Sequence, residues 1–312
     1  MATLCSQFND RFLEAALTHF YKSQTYVDAA AHLEEACAWL QSLGVNYSPT
    51  RIGKYRAIFS ALARHQLAGT LDSFYDEYSF ETWVNAAYEV AEVVRMYEGL
   101  AGQNDLSLVS RLHDSLKSHE LYVLDAQDRS GRDFSFELSI AAKFARCGYA
   151  IDFGHDADLN VAIDGLNFFV ECKRLKSPQK VQRRIKDGLA QLHKRYVKSE
   201  QPANARGLLI LSIGKTINSN LGFLEADNPE SLSKQAFLHN LAFIKKYESY
   251  WKIKVDQRTL GVVVVLDAPG IMKNTKQIVT CHEVTINNCV PANSQGHDLL
   301  FQIAHRVFTK RT

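Results

Sequence analysis

The chain has 312 residues, 46% of them hydrophobic and 22% charged, with a formal net charge of +2. That composition is close to the globular average and excludes a largely disordered chain. No stretch approaches the length of a membrane span, and the opening MATLCSQFNDRF has no apolar core of signal length, so the expectation is a soluble, cytoplasmic protein.

The charge is unevenly spread. Residues 1–127 hold 9 Lys+Arg against 16 Asp+Glu, whereas residues 128–312 hold 27 against 18. Such asymmetry predicts two regions with different partners, with a boundary at 127/128. The six cysteines form no CxxC pair and show no finger-like spacing with the histidines. A zinc module is therefore not expected, and the scattered thiols fit a reducing compartment.

The first region reads as successive helices. AALTHFYKS, YVDAAAHLEEACAWLQSLG and ETWVNAAYEVAEVVRMYEGL place apolar residues three and four apart, with Ser48-Pro49 and Gly99 to Gly102 as punctuation. An acidic all-helical part is read as a scaffold or a homo-oligomer surface rather than a phosphate grip. From residue 128 the texture changes. SGRDFSFELSIAAKFARCG predicts a helix with Asp133 as N-cap and Gly148 as its stop. YAIDF, DLNVAID and NFFVECKRL then read as three strands, and Ser177-Pro178 opens a helix to about Lys198. RGLLILSIG is a strand buried on both faces, followed by a helix over about 231–250 and the strand LGVVVVLDA.

Asp164-Gly165, between the second and third strands, is the signature of a two-residue type I′ hairpin. Counting outwards, Ile163 meets Leu166, Val161 meets Phe168 and Leu159 meets Val170, a wholly apolar face. On the other face Ala162 meets Asn167, Asn160 meets Phe169, and Asp158 meets Glu171. A four-residue loop would instead set Asp158 opposite Lys173. Two opposed carboxylates repel unless a cation sits between them, and either Lys173 or a divalent ion can serve.

Glu171-Cys172-Lys173 on a strand, with Asp158 heading the strand before it, resembles the PD-(D/E)XK nuclease superfamily. The element order over residues 133–213 resembles that family's core, although Ala157 stands where the motif's proline would be. The resemblance implies an α/β fold, a restriction-endonuclease-like mixed sheet flanked by helices, preceded here by an all-helical N-terminal domain. It implies a Mg²⁺-dependent nuclease, with Mn²⁺ as a substitute, and DNA as the default substrate with RNA left open. Restriction, phage defence and repair are the roles it suggests. Asp158, Glu171 and the Cys172 carbonyl would hold the metal, Lys173 would be catalytic, Glu137 would support a second ion, and Gln191 is carried over weakly.

Residues 173–198 hold ten Lys+Arg against Asp187 alone. Of these, Arg174, Lys180, Arg183, Arg184 and Lys194 are the expected phosphate contacts. His155 and His193 are read as bystanders, and Cys172 as a core side chain. The competing readings are a nuclease-like protein that binds nucleic acid without cutting, and a scaffold.

Overall fold

The computed structural model describes residues 12–13, 25–103, 105–125, 131–153, 158–218, 222–252, 255–274 and 277–308. AALTHFYKS, His155 and Asp156 lie outside these residues. The chain divides into two compact units: a helical unit, Tyr21–Arg146 with 220–222, and a sheet unit formed by the rest.

In the helical unit, α1 (Tyr26–Ser42), α2 (Arg51–Ala68), α3 (Leu71–Glu77), α4 (Phe80–Leu100), α5 (Leu106–Ser115) and α6 (Gly131–Arg146) follow one another. Side chains that satisfy the first free N–H groups explain where most of them begin. Thr25 and Asp28 form a reciprocal capping box, Thr50 accepts from the Ile52 amide, Ser79 from that of Thr82, and Asp105 from Ser107 and Leu108. Each such cap stabilises its helix by about 1 kcal/mol. Leu33, Leu40, Ile52, Leu62, Leu100 and Leu112 are almost wholly buried in its core.

The boundary between units falls after Arg146, not at 127/128, because α6 packs with the helices before it. Gly99 does not break α4; a Cβ there would come 2.5 Å from the Ala142 Cβ, so its bareness lets α4 and α6 touch. Asp133, expected as an N-cap, instead lies buried in the first turn because α6 starts at Gly131. Gly148 has φ 82°, the left-handed conformation of a helix stop.

A buried ion cluster ties the helical unit together. Glu89, 2% exposed, accepts from Arg51 Nε at 2.6 Å and from Arg132 Nε at 2.7 Å. Arg51 also donates to the Ser115 carbonyl at 2.7 Å. Burial pushes the Glu89 carboxyl up, but the two guanidinium groups outweigh it and hold it below its ordinary range.

The sheet unit contains β1 (Phe12–Leu13), β2 (Ile151–Asp152), β3 (Leu159–Ile163), β4 (Leu166–Arg174), β5 (Ala205–Ser212), β6 (Leu224–Ala226), β7 (Thr259–Met272) and β8 (Gln277–Asn288). Their order is β1-β8-β7-β5-β4-β3-β2, with β6 beside β7. The sheet is mixed. β2, β3 and β4 run antiparallel, β4, β5 and β7 parallel, and β7 and β8 antiparallel. Helix α7 (Val181–Lys198) links β4 to β5, and α8 (Gly214–Ile217), α9 (Pro229–Tyr247) and α10 (Ser249–Lys252) fall between β5 and β7. Strands β5 and β7 are buried residue after residue, as unbroken apolar runs in a covered parallel sheet should be.

Strand β8 and helix α11 (Gln295–Ile303) follow the last expected strand, and β1, β6, α8 and α10 are further elements absent from the expected order. β8 is hard to read because polar residues lie inward: Glu283, Thr285 and Asn287 are all at most 4% exposed. Asn287 accepts from the Trp251 indole at 2.8 Å, and Asn240 of α9 donates to Thr285 at 3.1 Å. Among the described residues no helix is long and apolar enough to cross a membrane.

Candidate functional site

The β3–β4 hairpin has the two-residue turn and the register set by Asp164-Gly165. Leu159 pairs with Val170, Asn160 with Phe169, Val161 with Phe168, Ala162 with Asn167 and Ile163 with Leu166. Asp164 and Gly165 have φ of 49° and 78°, the two positive values a type I′ turn requires. The four-residue loop is thereby eliminated; the paired rungs end at Leu159 and Val170, with Asp158 just before β3 and Glu171 just past Val170.

Asp158 has curled over the end of that ladder. Its Oδ2 accepts from the Cys172 amide at 2.7 Å and lies 3.8 Å from Lys173 Nζ. In an antiparallel pair a residue's N–H and C=O leave the strand on the same side. The Cys172 carbonyl therefore faces the same edge as Asp158, where β3 has ended.

Glu171 is 1% exposed and both of its oxygens are engaged: Oε1 accepts from Lys173 and Oε2 from Arg195. Burial drives its carboxyl up and Asp158 adds to the effect, while Lys173 and Arg195 oppose it. The net result is a rise to about 7. Lys173 is itself buried, its stem lying beside α7 where Gly188 stands. A Cβ at Gly188 would come 2.6 Å from Leu209 and 3.5 Å from Lys173 Cγ, so the glycine permits this close approach.

Arg195 is the partner that charge counting along the chain did not single out. With Glu171 ionised, Asp158, Glu171, Lys173 and Arg195 sum to zero, so the acidic pair then needs no further cation for neutrality. A signal was present: Val181, Ile185, Gly188 and Leu192 form the buried stripe of α7, and Arg195 continues it at helical spacing. An arginine on the apolar stripe of a helix is a buried, paired arginine.

The other expected residues are distributed as follows. Glu137 belongs to the helical unit, where it is buried and accepts from Arg111 at 2.7 Å. Gln191 is exposed on α7, flanking the stripe on the Arg195 side. Arg174 is buried and engaged within the protein, because it sits on the β4 face opposite Lys173; it is not an exposed phosphate contact. Lys180, Arg183 and Lys194 are exposed and Arg184 is half-buried. His193 is paired with Asp256 at 2.8 Å. Cys172 is buried.

No family model, curated protein or solved structure matches this chain.

The donors at the hairpin end are hard oxygens, the kind magnesium prefers. Asp158 Oδ1 has no hydrogen-bond or ion-pair partner among the described residues, and the Cys172 carbonyl shares its edge. Glu171 can take part only by sharing oxygens that Lys173 and Arg195 already hold. Among the described residues no three His, Cys, Asp or Glu side chains gather as a metal-holding group.

Proposed function

We propose that the sheet unit is a restriction-endonuclease-like domain and that the protein is a Mg²⁺-dependent nuclease acting on DNA or RNA. One observation carries this reading: Lys173 touches Glu171 and lies 3.8 Å from Asp158, whose carboxylate accepts from the Cys172 amide between them. The antiparallel β2-β3-β4 followed by α7 and parallel β5 supports it as the frame such a site needs.

Asp158, Glu171 and the Cys172 carbonyl would hold the ion, which when bound supplies an acidified water and offsets phosphate charge. The Lys173 ammonium donates a hydrogen bond to the oxygen on which charge grows. Arg195 fixes the Glu171 carboxylate from α7, and Glu171 in turn orients the Lys173 ammonium. Lys180, Arg183 and Lys194 offer charge along the exposed side of α7 to neighbouring phosphates.

The test is a cleavage assay on plasmid and on single-stranded DNA and RNA, with Mg²⁺, with Mn²⁺ and with chelator. Cleavage in the metal arms alone supports the reading, and no cleavage in any arm removes it. The metal's pH dependence is a further expected outcome. Below pH about 7 the folded protein carries a proton on Glu171, which an incoming ion must displace. Mn²⁺ affinity, read as a melting shift, should rise with pH up to about 7 and level off above. A flat profile would separate Glu171 from metal binding.

The charge balance supplied by Arg195 favours a second reading, a nucleic-acid-binding domain that does not cut. Both readings expect the same salt behaviour. Neutralising Lys180, Arg183 and Lys194 together should lower the log–log salt slope on duplex DNA by about 0.9 for each lost phosphate contact. An unchanged slope would make the exposed side of α7 a solvated face only.

A further inference from the structure

Beyond β4 and β5 the sheet unit has a small cavity. Pro178 and Val181, which follow β4, form one wall with Thr216 and Ile217, which follow β5. The opposite wall is a single face of α9: His239, Ala242, Phe243, Lys246 and Tyr247, spaced by three and four. It therefore lies past the carboxyl ends of two adjacent parallel strands, where open α/β sheets bind ligands. It is also the end of β4 that carries Glu171 and Lys173.

Its volume is about 210 Å³. Pockets for drug-sized molecules usually run to about 300–1,000 Å³, so this one suits a single flat ring system rather than a whole nucleotide. Phe243 and Tyr247 stand with ring centroids 4.8 Å apart. Lys246 lies 5.2 Å from the Tyr247 centroid and Lys186 of α7 lies 5.7 Å from that of Tyr250, so cations and aromatic rings interleave. Among the described residues Lys246 and His239 have no ion pair or hydrogen bond. Ala242 is exposed and small, which leaves the mouth open.

We infer that this cavity takes one unstacked base of a single-stranded nucleic acid. The base packs against Tyr247 and Phe243, and Lys246, Lys180 and Lys186 meet the flanking phosphates. Stacking tolerates any base because every base has a π face, so the site selects unpaired strands rather than sequence. The inference rests on the reading that the sheet unit acts on nucleic acid, but not on its cutting it.

The test uses the full chain in chelator, so that no strand is cut during measurement. Binding of a deoxythymidine decamer is compared by fluorescence anisotropy with a decamer of abasic sugar-phosphate units, and a uridine decamer provides the RNA arm. Loss of base stacking on an aromatic side chain weakens binding by about 5- to 150-fold. Wild type should favour at least one base-bearing strand by that factor. Tyr247→Leu should erase the preference while keeping the affinity for the abasic strand. Ala242→Leu fills the mouth from an exposed position without touching the core and should do the same. Equal binding of base-bearing and abasic strands by wild type overturns the inference, even in a protein that cleaves DNA. A preference that survives both substitutions also overturns it. A preference lost in both variants of a protein that never cleaves supports the base site and removes the nuclease instead.

Discussion

Replacing Lys173 with methionine is expected to lower metal-dependent cleavage by about 100- to 1,000-fold, the usual cost of deleting one donor aimed at developing charge. Methionine keeps an unbranched apolar stem beside Gly188 and leaves no hole under α7. Nucleic-acid affinity should change little, because Lys173 is buried and the exposed cations of α7 stay in place. Glu171 would retain Arg195 as its partner, so the fold should persist. The measurement is single-turnover cleavage alongside equilibrium binding. Near wild-type cleavage in Lys173→Met would reduce the lysine to a structural counter-ion. A parallel loss of binding and cleavage would mean that the site had collapsed rather than lost a catalytic group.

The largest expected effect on stability lies in the helical unit. Glu89→Gln leaves Arg51 and Arg132 buried around a neutral amide. Removing one partner from a buried charge cluster typically costs about 3–5 kcal/mol, because the remaining charges are stranded without water. For a chain of this order each kcal/mol lowers the melting temperature by about 2–4 °C, so a fall of at least about 6 °C is expected near neutral pH. The pH dependence has a definite sign. The folded Glu89 carboxyl is held below its unfolded value of 4.5, so its contribution is complete above that value and fades as pH falls through the folded one. Wild type should therefore lose its advantage in acid and converge on Glu89→Gln, whose curve lacks this component. Thermal unfolding of both proteins between pH 3 and 8 checks it. A variant that melts with wild type at pH 7 would show that the two arginines have other compensation.

The hairpin was legible in the sequence because its signals are local. Asp164-Gly165 demanded positive φ at both positions, and the alternation in LNVAI and FFV left only one register that sorts the faces. The strands of β5 and β7 were legible for a similar reason, since an unbroken apolar run has few other uses. What could not be read came from contacts distant along the chain. Arg195 reaches Glu171 across 24 residues, and its charge looked like one more base on a basic helix until its place on the buried stripe was seen. The inward row Glu283, Thr285 and Asn287 hides β8, because partners on α9 and α10 allow Thr285 and Asn287 to be buried and so blur the apolar alternation. The texture of the sequence changes at residue 128, whereas α6 packs with the helices before it, against the bare surface of Gly99.

The two-residue turn also has a consequence for the order in which the chain assembles. A hairpin this local can close in about 1–10 μs, before strands that need a long crossover find each other. Its open end, past Leu159 and Val170, then brings Asp158 toward the β4 segment that carries Glu171 while α7, which carries Arg195, is still undocked. With only Lys173 at hand the nascent hairpin is short of positive charge at that end, so it zips from the turn and stays frayed at Asp158. Docking of α7 delivers the missing guanidinium to Glu171 and lets that end of the hairpin settle. The acidic end of the hairpin and the basic helix should therefore become protected from hydrogen exchange together, later than the turn that began them.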